Sequence, residues 1–85
     1  MAKRPDTLYL LIIDDDDGVR HYYEHGRWFS TDIADARIFR AIGHVKLALN
    51  HAAVTRFGKQ FDRSRFKAAI VARIIENPTE LVELC

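Results

Sequence analysis

The sequence predicts an α+β domain in which one amphipathic helix packs on a small, mostly antiparallel β-sheet. Three observations point there. Residues 7–13 form an apolar run of strand formers, an Asp/Gly turn then leads into an aromatic-rich stretch, and apolar residues recur at helical spacing through residues 42–53. The expected order is strand, strand, short strand, helix, strand.

Thr-Leu-Tyr-Leu-Leu-Ile-Ile at 7–13 is apolar at odd and even positions alike, the pattern of a central strand buried on both faces. The next five residues, Asp14, Asp15, Asp16, Asp17 and Gly18, read as a turn, since Asp tolerates left-handed backbone and Gly adopts it freely. Residues 19–29 hold Val, two Tyr, Trp and Phe and read as the returning strand, broken at Gly26. Ser30-Thr31-Asp32 resembles a cap for a short helical turn through Ala36, and Arg37-Ile38-Phe39 a brief third strand.

The main helix is expected over residues 42–57, ending at Gly58 as a C-terminal cap. Ile42, Val45, Leu49, Ala52 and Ala53 share its buried face, while His44, His51 and Thr55 gather opposite. Over residues 66–75 a strand is favoured. Read as a helix, Arg73 would enter the apolar stripe; read as a strand, Lys67 and Arg73 share the face opposite Ala68, Ile70, Ala72 and Ile74. Pro78 ends it, and residues 79–85 fit either a last strand or a helical turn capped by Asn77.

The 85 residues, 48% hydrophobic and 29% charged, give one globular domain, 1–85, with few residues left to wall an active site. One cysteine, Cys85, excludes an intramolecular disulfide. The six consecutive apolar residues at 8–13 are too few for a signal peptide core or a membrane span, so a cytoplasmic protein that does not enter a membrane is expected. Net charge is +1, but it is unevenly spread. Residues 1–36 carry four bases against eight acids, residues 37–73 nine bases against Asp62 alone, and residues 74–85 three Glu and no base. Such asymmetry bears on partners rather than on fold.

Two motifs resemble metal sites and fail on geometry. His21-Tyr22-Tyr23-Glu24-His25 matches H-x-x-E-H, whose zinc chemistry needs both histidines on one helical turn. On a strand, residues four apart stand roughly 13 Å from each other, too far to share a zinc with bonds of ~2 Å. Asp15, Asp17, Gly18 and Glu24 fall at EF-hand loop positions, but the first ligand position would be Ile13. No metal, cofactor or catalysis is expected. His44 and His51 stand two helical turns apart and cannot act on one atom.

The basic run Arg56, Lys59, Arg63, Arg65 and Lys67 is the candidate partner-binding segment, suited to an acidic protein or to a phosphate backbone. Its nearby aromatics are few: Phe57, Phe61 and Phe66.

The stretch from Gly26 through Trp28 to Asp32-Ile33-Ala34-Asp35-Ala36-Arg37-Ile38-Phe39, followed by a helix, resembles a pattern in small phage and prophage accessory proteins. There, an opening strand pair leads to a Trp, a D-x-x-x-A-R-x-F segment and an Ala-containing helix, with Ala36 and Phe39 as packing positions. Such proteins include inhibitors of host machinery, anti-CRISPR proteins among them. The resemblance implies a non-catalytic binding module that inhibits or modulates a host protein complex. The alternative is a small nucleic-acid-binding protein using residues 56–67.

Overall fold

The computed structural model describes residues 8–71 and 80–84. One helix packs on a five-stranded antiparallel sheet of strands β1 (Leu8–Asp14), β2 (Arg20–His25), β3 (Trp28–Ser30), β4 (Phe66–Val71) and β5 (Glu80–Glu83). Across the sheet the order is β3-β2-β1-β4-β5, so the most apolar strand lies in the middle.

Alternate residues of a strand face opposite sides of the sheet. In β1 that sends Leu11 and Ile13 into one apolar cluster and Leu10 and Ile12 into another, all four fully buried. The sheet therefore needs a cover on each face. On the first, helix α1 (Ile42–Ala52) lays Val45, Leu49 and Ala52 against Leu11, Ile13, Tyr23, Phe66 and Ala68. Ile42 and Ala53 flank this contact half-buried, so the predicted apolar stripe is the one used.

The second face is covered in part by the connection between β3 and α1, through Ile33, Ala36 and Ile38. A 3-10 turn at Ile33–Asp35 begins this connection, capped by the Asp32 carboxylate, which accepts from the Ala34 N–H at 2.9 Å. The chain then changes faces. Arg37 N–H donates to Tyr23 O at 2.9 Å in β2, and Phe39 exchanges both backbone bonds with Tyr9 in β1 at 2.8 and 2.9 Å. Residues 37–39 thus pass between β1 and β2 where these diverge, putting Ile38 on one side and Phe39 on the other.

Three expectations change. The break expected at Gly26 is there but is a hairpin turn: Gly26, at φ 55°, turns with Arg27 and sends Trp28 back along β2, so the stretch holds two paired strands. The brief strand at 37–39 is a single bridge, Tyr9 to Phe39. The helix ends at Ala52 rather than near Phe57. Beyond Ala53 the bonds tighten, Val54 N–H to His51 O at 3.3 Å and Thr55 N–H to Ala52 O at 3.2 Å. The Thr55 hydroxyl, which donates to the Ala52 carbonyl at 2.7 Å and accepts from Gly58 N–H at 2.9 Å, holds the turn that follows. Residues 66–71 form the expected strand, with Lys67 opposite Ala68; the rest of that expectation, 72–75, lies outside the described residues. Of the two readings left open at the end, β5 is the strand.

Gly58 is needed for proximity, not for helix capping. A Cβ there would stand 1.8 Å from the Ala52 carbonyl oxygen, a backbone atom that cannot swing away. Gly58→Ala should cost about 1–3 kcal/mol by forcing that turn apart. Gly43, in the first turn of α1 with open space around it, should tolerate alanine with a gain of about 0.5 kcal/mol. Paired denaturant titrations check both signs, and a neutral Gly58→Ala would be inconsistent with the close approach.

Candidate functional site

Charge pairing sorts the basic side chains into two groups. The acidic turn is largely neutralised by its own chain: Asp14 meets Arg20 at 2.9 Å, Asp15 meets His21 at 2.8 Å and Asp16 meets Arg65 at 2.6 Å. Arg65 also donates to Asp14 O at 2.7 Å and lies over the Phe61 ring. Lys67 bridges to Glu83 at 2.7 Å, across the β4–β5 pair. Arg63 bonds the Asn50 side chain on α1. Of the predicted segment, then, Arg65 and Lys67 tie parts of the fold together, Lys59 is exposed, and Arg56 turns toward a different surface.

That surface is a groove between α1 and the β2–β3 edge, made of three clefts that share walls. The first, about 840 Å³, is lined by His21, Trp28, Phe29 and Phe57, with Arg27 and Arg56 beside them. Arg27 also lines a second cleft with Tyr23 and His51, and those two line a third with Arg37, Arg40, His44 and Leu47. No Asp or Glu lines any of the three. Among the described residues, Arg27, Arg37, Arg40 and Arg56 have no carboxylate partner.

The apolar part of the groove is built on the sheet. Phe29 packs on Tyr23 and Phe57, and Phe57 in turn on His21 and Phe61, with ring centroids 4.8–5.5 Å apart. Trp28, next on β3, is 59% exposed and projects from this support. On the helix side Leu47 is 62% exposed. Sequence reasoning missed the groove because its cations come from three separate stretches of chain, Arg27, Arg37 with Arg40, and Arg56. What could have been read was the pairing of Arg27 with Trp28 beside a glycine turn.

The H-x-x-E-H run lies on β2, and its two histidines engage different carboxylates, His21 with Asp15 and His25 with Glu24 at 3.3 Å. Among the described residues no group of three His, Cys, Asp or Glu is placed to hold a metal. Asp15 instead organises the turn: one oxygen accepts from Asp17 and Val19 N–H at 2.9 Å, and the other meets His21. A His–carboxylate pair thus borders the first cleft, but the nearby Ser30 hydroxyl donates to Asp35 at 2.8 Å rather than to His21. That arrangement fixes the His21 ring against Asp15 and leaves the Ser30 hydroxyl engaged with Asp35. Among the described residues no helix is long and apolar enough to cross a membrane.

No family model matches the chain, and comparison with curated proteins and with solved structures returns no match.

The His21 ring and the Val19 and Asp17 amides hold the Asp15 carboxyl below its ordinary value, and the Ser64 amide and hydroxyl do the same for Asp62. Both carboxyls are depressed in the folded state, so their contribution is present above the unfolded value of about 3.9 and is lost as pH falls through the folded one. The protein should lose stability on acidification below pH ~4. Asp15→Asn, which keeps an acceptor for the two amides, should flatten that loss. Urea midpoints measured across the acid range check this, and an unchanged slope in Asp15→Asn would contradict it.

Proposed function

We propose that the chain is a non-catalytic binding module that acts on a host protein complex by surface contact, as the resemblance to phage accessory proteins implies. The observation that carries this reading is the groove itself. Exposed Trp28 and Leu47 stand among four arginines that have no carboxylate partner among the described residues. Trp and Arg are the residues that most often dominate protein interfaces, and an apolar anchor beside cationic groups is the usual make-up of such a contact. A cytoplasmic location, with no metal and no cofactor, belongs to the same proposal.

A second reading has one observation in its favour. Arg56, the one member of the basic 56–67 segment in the groove, shares a cleft with Trp28, and a cation next to an exposed ring also suits a nucleic acid.

The two separate by affinity capture from a bacterial lysate with and without nuclease. The expected result is a stoichiometric protein complex, retained after nuclease and reconstituted from purified components. Loss of the captured material on nuclease treatment would favour the second reading.

A further inference from the structure

Taking the groove as the contact surface of a protein-binding module, we propose that it receives an acidic segment of the partner ending in an apolar side chain. The Asp and Glu carboxylates sit on Arg37 and Arg40, and the apolar side chain sits against Trp28 and Phe57.

Charge is the first argument. The chain pairs its cations wherever they meet its own acids, at Arg20, Arg65 and Lys67, yet leaves the groove arginines without carboxylates among the described residues. Arg37 and Arg40 line one cleft together, so an incoming anion relieves repulsion between the two arginines as well as making new bonds. The cations are arginines, whose planar fork takes a carboxylate through two parallel bonds.

The two ends of the groove differ, and that difference selects the occupant. At the Trp28 end Asp15 stands behind His21, and Asp35 behind Ser30, both within hydrogen-bond distance of those lining residues. Arg27 and Arg56 at that end are offset by these two carboxylates, which leaves little net charge to seat an anion, whereas the supported rings of Trp28, Phe29 and Phe57 seat an apolar side chain. At the other end the cations meet aliphatic Leu47 and Ile38. A nucleic acid strand carries a phosphate at every step and binds through successive stacked bases. Here the carboxylates interrupt the positive field, and Trp28 is the one exposed Phe, Tyr or Trp side chain in the lining. A protein segment can alternate charge and apolar groups to match. The reach is modest. His44 to His51 spans about 10 Å of helix, which an extended peptide covers in about three residues.

The test uses the whole chain and labelled peptides of alternating Glu and Asp that carry Phe-Leu at one end or the other. Fluorescence anisotropy at physiological salt is read against three controls: the peptide with Lys for every acid, the peptide with Gly-Gly for Phe-Leu, and an oligothymidylate of equal charge. One acidic Phe-Leu peptide should bind, the Lys peptide should not, and the Gly-Gly peptide should bind several-fold more weakly. Trp28→Ala and Arg40→Ala should each weaken binding about tenfold. Lys59→Ala, outside the groove, should leave it unchanged, with thermal midpoints recorded to show that each variant is folded. Tighter binding of the oligothymidylate, with the same loss in Trp28→Ala, would replace the proposal with a nucleic-acid groove. Peptide binding that is absent or indifferent to the groove variants would end it. If the protein complex captured from lysate is still captured equally by Trp28→Ala and Arg40→Ala, the groove assignment fails while the binding-module reading stands. If nuclease removes it, the reading itself fails.

Discussion

Four consecutive residues of β1, Leu10 to Ile13, are buried completely, and a strand can do this only if the sheet is covered on both faces. With a single helix among the described elements, the chain meets that demand by using a connection as part of the second cover. Residues 31–38 lie over Leu10, Ile12 and Tyr22 before the chain crosses between β1 and β2 and starts α1 on the other side. Crossing a sheet would normally strand backbone polar groups in the core. Here Arg37 and Phe39 take over the hydrogen bonds that β1 and β2 give up where they part, so the crossing leaves those groups paired.

The groove follows from the same crossing. Because α1 starts at the gap between β1 and β2 and packs over β1 and β4, it leaves the β2–β3 side of that face open, and the space between helix and edge is walled by whatever these segments expose. Arg37 and Arg40 bracket the crossing, Arg27 and Trp28 come from the second hairpin, and Arg56 follows the turn that Thr55 holds after the helix. An uninterrupted helix to residue 57 would have carried Arg56 onward instead of turning the chain beside Trp28. The Thr55 hydroxyl and the absent side chain of Gly58 therefore shape the binding surface as well as the fold.

The fold was legible where local pattern and tertiary demand agree. Continuous apolar character marked β1 as central, the spacing of Val45, Leu49 and Ala52 marked the buried helix face, and Arg73 in an apolar stripe argued correctly for strand at Phe66–Val71. The helix end was misjudged because Gly58 carries the composition of a C-cap, while the helical bonding gives way to tighter turns from Val54 and the Thr55 hydroxyl holds the chain there. The candidate segment Arg56, Lys59, Arg63, Arg65 and Lys67 looked like a unit because its members are neighbours in sequence. Spatially, Arg65 and Lys67 are matched with acids 49 and 16 residues away, pairings that no local pattern encodes. The groove was hidden for the converse reason, since its cations are near in space and scattered along the chain.

If the crossing organises both cover and groove, its hydrogen bonds must be as durable as the core of β1. Amide hydrogen exchange under native conditions reads this residue by residue. The account predicts that the Tyr9, Arg37 and Phe39 amides exchange as slowly as those of Leu11 and Ile12, opening only with the whole domain. Fast exchange at Arg37 and Phe39 while β1 stays protected would mean that the connection merely rests on the sheet, and would contradict the account.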